Sequence, residues 1–131
     1  MQFMSQEWFD AVSKELAQND NFKIATTGAT LGIQQVATGV PSGGEIRHYL
    51  KVTDGEFEMG VGQLDEPDAT MSATYADAVL IHKGELDAMS AFSSGRMLVQ
   101  GNLAVLMQHQ AVLAQMSAAM ETLRDETEYE S

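Results

Sequence analysis

The stretch that decides the fold is EPDATMSATYADAVLIHKGELDAMSAFSSGRMLVQG, residues 66–101. Near its start, residues 69–74 alternate apolar and hydroxylated side chains, and this period of two predicts a β-strand. Near its end, residues 96–100, with the apolar side chains Met97, Leu98 and Val99 at their centre, predict a second strand. Two helices are predicted between them, so we expect a crossover that lays both helices on one face of a sheet.

Capping residues and glycines mark the ends of the two helices. Thr74, followed by Asp77, is a typical capping pair for the start of a helix, and Gly84 is a typical stop. In the same way, Asp87 is a capping residue and Gly95 ends the helix that follows it. Both helices are therefore predicted to be short.

The order of strands and helices in this stretch, and the capping residues and glycines between them, resemble the sterol carrier protein 2 family of lipid-binding domains. The resemblance is carried by PDATM at 67–71, GELD at 84–87 and AFSSGRMLVQG at 91–101, and it spans residues 32–120. Asn102 departs from the family, which usually has an acidic residue at this position. Because asparagine also caps helices, the expected fold is unchanged.

The resemblance implies both a fold and a class of ligand. The implied fold is α+β: a mainly antiparallel, five-stranded twisted sheet with helices covering one face and an apolar tunnel between the two layers. The implied ligands are fatty acyl chains and sterols, and some members of the family hold acyl-coenzyme A. Since the phosphates of coenzyme A favour basic residues and this chain has few, a fatty acid, sterol or other lipid is expected instead.

The segments before residue 66 predict a helix followed by a meander of strands. Ser5 is a capping residue for a helix that ends near Gln18, and residues 22–28 fit either a short helix or an extra strand. Residues 33–38 are strand-like, and residues 41–44 indicate a loop. Residues 45–53 alternate apolar and polar side chains, a hairpin turn signal follows at Asp54-Gly55, and the alternation resumes at residues 57–61. This pattern predicts a sheet with one apolar face and one polar face. The apolar stripe of the first helix is Trp8, Phe9, Val12 and Leu16.

The last third of the chain predicts one long helix and an acidic tail. The periodic pattern of residues 103–123 forms a broad apolar band, wider than packing against a single neighbour requires. Residues 121–131 hold five acids and one arginine, so the end of the chain is expected to fray.

Length, charge and composition exclude several classes of function. The 131 residues predict a single domain, spanning 1–131, and the absence of cysteine excludes thiolate chemistry. Nineteen acids against seven scattered bases disfavour nucleic acid and anionic membranes as partners. No apolar run is long enough for stable membrane insertion, and the first residues do not read as a signal peptide, so a cytoplasmic location is expected.

No residue pattern indicates catalysis, a metal or a cofactor. The three histidines, His48, His82 and His109, do not have metal-ligand spacing, and no nucleophile or phosphate-binding motif occurs. His48 lies on the apolar face of a predicted strand, where a buried, satisfied core histidine is the simplest interpretation. We therefore expect neither enzymatic activity nor a cofactor.

Methionines are the most informative residues for a binding site. Seven of the nine occur from residue 59 onward, on elements that should face one another. They fit either a methionine-rich core or, as the resemblance implies, the wall of a lipid cavity, because methionine adapts to irregular apolar shapes. The candidate ligand-binding residues are Leu50, Phe57, Met59, Met71, Met89, Phe92, Met97, Leu106, Leu113, Met116 and Met120.

The predicted function is non-catalytic binding, with carriage or presentation, of a fatty acid, sterol or related lipid. One alternative is an accessory protein that docks a partner enzyme and presents a hydrophobic intermediate to it. A further alternative is a small enzyme that uses His48 or His109 as an acid or base. A partner enzyme and a second copy of the chain stay open as protein partners.

Overall fold

The computed structural model describes residues 1–129. A 3-10 turn at Arg124–Glu126 follows the last helix. The strands are β1 (Thr30–Thr38), β2 (Ile46–Thr53), β3 (Glu56–Val61), β4 (Ala69–Thr74) and β5 (Met97–Gly101). The α-helices are α1 (Gln6–Ala17), α2 (Asp20–Thr26), α3 (Tyr75–His82), α4 (Ala88–Ser93), α5 (Leu103–Gln108) and α6 (Gln110–Thr122).

The five strands form one mixed sheet in the order β3-β2-β1-β4-β5. Three of the neighbouring pairs are antiparallel, whereas β1 and β4 run parallel at the centre. The predicted α+β class and five-stranded sheet are therefore confirmed. The predicted crossover is wrong, because β4 and β5 are antiparallel neighbours in which Ala73 pairs with Met97. The chain leaves β4 and enters β5 at the same end of the sheet.

The predicted capping residues act as expected. The hydroxyl of Thr74 accepts a hydrogen bond from the Asp77 amide at 3.1 Å, and the carboxylate of Asp87 accepts one from the Ser90 amide at 3.0 Å. Each bond satisfies a backbone donor that the first turn of a helix leaves free. These local bonds set the starts of α3 and α4 where the sequence predicts them.

Two helical regions differ from the expectation. Of residues 22–28, which the sequence leaves open between a helix and a strand, residues 22–26 are helical: they belong to α2, which begins at Asp20 and is capped by the side chain of Asn19. The predicted long final helix is broken at His109, whose φ of −114° and ψ of 34° are not helical. The break lets α5 pack against β4 while α6 packs against α1, α2 and α3. One straight helix could not follow both directions.

The acidic tail is docked rather than frayed as far as Tyr129, and Glu130 and Ser131 lie outside the described residues. Residues 126–129 run beside residues 1–4, and we call these two segments together the terminal clasp. Within the clasp, the Phe3 amide donates to the carbonyl of Glu128 at 2.7 Å. The indole of Trp8 donates to the hydroxyl of Thr127 at 3.2 Å. The carboxylates point to solvent, so a charged tail can still be held by its backbone and its uncharged side chains.

The main core lies between the helices and one face of the sheet. We call that face of the sheet the inner face. Alternate residues of β2 supply part of it, namely His48, Leu50 and Val52, as the alternation of the sequence predicts. From the helices, Phe9 and Leu16 of α1 are fully buried against it. The apolar surfaces of the sheet and of the helices therefore face each other, so both layers would line a cavity between them.

Candidate functional site

A cavity of about 270 Å³ lies between the inner face of the sheet and the helices. This volume is close to the lower end of the roughly 300–1,000 Å³ that small-molecule sites occupy. The sheet supplies Gln35, Val36, Ala37, His48, Met71, Ser72, Ala73 and Met97. The helices and the terminal clasp supply Phe3, Met4, Trp8, Ala78, Ile81, His82, Leu113, Met116, Ser117 and Met120.

The structure brings five of the predicted site residues together around this cavity. They come from two strands of the sheet and from α6: Met71, Met97, Leu113, Met116 and Met120. Four of these five are methionines, whose flexible thioethers can adjust to the shape of a bound apolar molecule. The predicted broad apolar face of the final helix is therefore explained in part, since three apolar side chains of α6 line the cavity.

Six predicted site residues lie elsewhere. Leu50 and Leu106 are buried core residues, and Phe57 and Met59 are partly buried against the core. None of the four lines the cavity. Met89 and Phe92 are on the surface, 66% and 42% exposed, because the short helix α4 packs through the fully buried Ala91 instead. The sequence pattern identifies these side chains as apolar but does not say which of them face a shared space.

Small residues, which the sequence reading missed, create the space. Ala37 of β1 pairs with Ala73 of β4, and Ala78 of α3 lies on the same cavity wall. Where neighbouring side chains are only methyl groups, a sheet and a helix layer leave volume that larger side chains would fill. A pair of alanines at matched inner positions of two strands was the available signal.

His48 is the most deeply buried titratable group of the cavity wall. Its side chain is 4% exposed, and its ring lies 4.7 Å from that of Phe9, measured between centroids. Burial lowers the pKa of His48 to about 4, because the charged form would lose its hydration without gaining a partner. The ring is therefore neutral at physiological pH. Within residues 1–129, no protein group is hydrogen-bonded to either ring nitrogen.

His82 lies on the same wall but is fully hydrogen-bonded. Its Nε2 lies 3.1 Å from the carbonyl oxygen of Met120, and its Nδ1 lies 2.5 Å from the hydroxyl of Tyr129. Since a carbonyl can only accept, Nε2 carries the proton and Nδ1 accepts from the hydroxyl. Burial lowers the pKa of His82; the Met120 carbonyl opposes this effect and the Arg124 guanidinium adds to it. The ring thus ties the terminal clasp to α3.

Charge is absent from the described part of the cavity wall. No Asp, Glu, Lys or Arg is among its lining residues, and the polar residues among them are two histidines, Gln35, Ser72 and Ser117. Among residues 1–129, no cluster of His, Asp and Glu could hold a metal ion. In the same residues, no helix combines the length and apolar character that crossing a membrane requires. The site is suited to an apolar, uncharged occupant.

Comparison with known proteins identifies related sequences. The sequence profile described as the SCP-2 sterol transfer family matches residues 32–114. Stomatin-like protein 1 of Mus musculus is 37% identical over 75 residues, which make up 56% of this chain and 19% of that protein. The chain thus spans about a fifth of the length of this relative.

Solved structures share the whole architecture. A crystal structure of sterol carrier protein 2 superposes with a TM-score of 0.74 at 16% identity, covering 92% of this chain and 98% of the other. The solution structure of palmitated SCP2L2 from Aedes aegypti gives 0.60 at 14% identity, covering 89% and 95%. Because these identities are low, the likeness concerns the fold.

Proposed function

This chain belongs to the SCP-2 sterol transfer family, and on that premise we propose that it binds a lipid in the cavity between its sheet and its helices. The cavity then serves to carry the lipid or to present it, without changing it chemically. The observation that supports this proposal is the cavity wall itself, which is built from apolar side chains and carries no charge among the described residues. Its palmitated structural relative from Aedes aegypti fits this interpretation.

Burial of a lipid chain supplies enough free energy for such binding. Transfer of each methylene from water to an apolar site is worth about 0.8 kcal/mol, so ten methylenes contribute about 8 kcal/mol. This gross value corresponds to roughly micromolar affinity before the cost of association is subtracted. A fatty acid, a sterol or another lipid could therefore bind without a strong ionic contact.

Catalysis receives less support than carriage. A general base works best with a pKa near the operating pH, whereas burial lowers that of His48 to about 4. No carboxylate lies on the described cavity wall to orient the ring, and His109 is at the break between α5 and α6, outside the cavity. A rate that depends on either histidine would contradict this proposal.

Presentation to a partner enzyme is favoured by one observation. Met89 and Phe92 of α4 are large apolar side chains that are exposed to solvent. Exposed apolar side chains can mark a surface for a protein partner. An enzyme that co-purifies with the chain and accepts lipid from it would support this second function. A cytoplasmic location stays a prediction, for cell fractionation to test.

The chain offers an internal reporter for a binding test. Trp8 is its one tryptophan, and it lines the cavity. We expect hexadecanoic acid, cholesterol or hexadecan-1-ol to change the fluorescence of Trp8. The same ligand should raise the melting temperature as its concentration increases, as required of a ligand that binds only the folded state. Native mass spectra of the freshly purified protein should show bound mass that is lost on denaturation.

A matched pair of variants tests whether the lipid binds in the cavity. Ala78→Leu fills part of the cavity from α3, and Ala104→Leu makes the same change at an exposed position of α5. If the leucine displaces about two methylenes of ligand, affinity should fall about tenfold in the first variant. The second should bind like the wild type. The proposal is wrong if none of the three lipids binds, or if both variants bind as the wild type does.

A further inference from the structure

Two neighbouring polar side chains lie on the wall of the apolar cavity and form no hydrogen bonds with the described part of the protein. His48 of β2 and Gln35 of β1 are directly opposite each other in the antiparallel pair, so both belong to the inner face. Both line the cavity, where His48 is buried and Gln35 is half-buried. Within residues 1–129, neither the His48 ring nor the Gln35 side-chain amide makes a hydrogen bond to the protein.

Two other buried polar side chains, in contrast, are hydrogen-bonded to the protein. The side chain of Gln34, fully buried on the opposite face of the sheet, donates to the carbonyls of His48 and Gly62 and accepts from the Leu64 amide. His82 uses both of its ring nitrogens. Among residues 1–129, Gln2 Nε2 is the one fully buried side-chain atom without a hydrogen-bond partner, so the unpaired polar atoms of His48 and Gln35 are not sealed off from the cavity. Because polar groups in protein interiors are nearly always hydrogen-bonded, an open pair on a cavity wall indicates a place for a polar group of the ligand.

The surroundings of the pair restrict what that polar group can be. No charged side chain lies on the described cavity wall, so a carboxylate placed beside His48 would be buried without a counter-charge, which is strongly unfavourable. A neutral imidazole and a primary amide each offer a donor and an acceptor. A hydroxyl or a carbonyl can exchange hydrogen bonds with both.

We propose that His48 and Gln35 bind the uncharged polar head of the lipid, a hydroxyl or carbonyl group, while its hydrocarbon part lies against the methionines of the cavity. This assignment rests on the proposed function and narrows it. Among lipids of equal chain length, the site selects a neutral alcohol over a fatty acid carboxylate. His48 and Gln35 thereby determine specificity, and the apolar wall supplies most of the affinity.

A set of ligands with the same chain separates the polar head from the hydrocarbon. Hexadecan-1-ol, hexadecanoate and hexadecane are delivered from cyclodextrin at pH 7.5, and binding is followed by the fluorescence of Trp8. His48→Leu should weaken binding of hexadecan-1-ol roughly three- to tenfold, the size typical of one neutral hydrogen bond, and leave hexadecane unchanged. His48→Gln should recover most of the loss, since its amide restores a donor and an acceptor. His109→Leu removes a histidine outside the cavity and should bind all three ligands as the wild type does.

The outcomes distinguish this inference from the proposed function. If His48→Leu weakens hexadecan-1-ol and hexadecane by the same factor, or if the wild type prefers hexadecanoate, the assignment of the polar head is wrong while lipid binding stands. If none of the three ligands binds to the wild type, the proposed function itself fails.

A spectroscopic test on the wild type does not depend on how well a variant folds. In protein labelled with nitrogen-15 at histidine, hexadecan-1-ol should move the ring nitrogen signals of His48 in the direction of hydrogen bonding and leave the ring neutral. Hexadecane should not reproduce that shift, and the signals of His109 should stay in place. Equal shifts of His48 with both ligands, or none with the alcohol, would overturn the proposal.

Discussion

Acid should destabilise the chain through His48, and the structure sets the size of the effect. Burial lowers the pKa of this ring from the ordinary 6.5 to about 4 in the folded chain. Between these values the unfolded state binds more protons, so stability is greatest above pH 6.5 and falls as the pH falls towards 4. At pH 5.0, linkage gives a loss of about 2 kcal/mol relative to pH 7.5.

Urea unfolding at the two pH values measures this loss. Most free carboxylates are still ionised at pH 5.0, so they contribute little to the difference. His82, whose pKa is also lowered by burial, contributes in the same direction. The His48→Leu variant separates the two rings, because its free energy of unfolding should change by about 2 kcal/mol less than that of the wild type over the same interval. An equal change in both proteins would refute the conclusion that burial keeps His48 neutral.

Two further predictions concern the terminal clasp and the entry to the last helices. Tyr129→Phe removes the hydrogen bond to His82, so the free energy of unfolding should fall by about 1 kcal/mol. Little change is expected for Tyr49→Phe, because Tyr49 alternates with His48 and Leu50 in β2 and lies on the outer face of the sheet, opposite the inner face. Equal values would show that the clasp is not docked in solution. Gly101→Ala should cost about 3 kcal/mol or more, because its Cβ would lie 2.6 Å from a backbone oxygen. Gly95→Ala, with a similar positive φ and no atom within 4 Å, should cost about 1 kcal/mol, and urea unfolding that ranks the two glycines in reverse would contradict the packing described.

The sequence by itself determined several local features of this protein. The caps at Thr74, Asp87 and Asn102 and the turn at Asp54-Gly55 occur in the structure where the sequence predicts them. The inner and outer faces of β2 also follow its alternating pattern. These features depend on interactions between residues at most four positions apart, so a short window of sequence contains their physical cause.

The candidate ligand-binding residues are placed differently by the structure. The methionines of β4, β5 and α6 among them line the cavity, whereas Met89 and Phe92 lie on the surface. Hydrophobicity indicates that a side chain gains free energy on burial, but it does not specify the partner against which the side chain is buried. The exposed side of α4 therefore could not be told from its buried side.

Only the tertiary structure decided the features that join distant parts of the chain. The docking of Tyr129 on His82, the break at His109 and the antiparallel pairing of β4 with β5 each depend on where other elements pack. The same holds for the cavity, whose space lies beside small residues of three separate elements, and for the meeting of His48 with Gln35 across two strands. An unfilled volume and an unused hydrogen-bonding group are properties of an assembled interior, because both are defined by the neighbours that folding brings together.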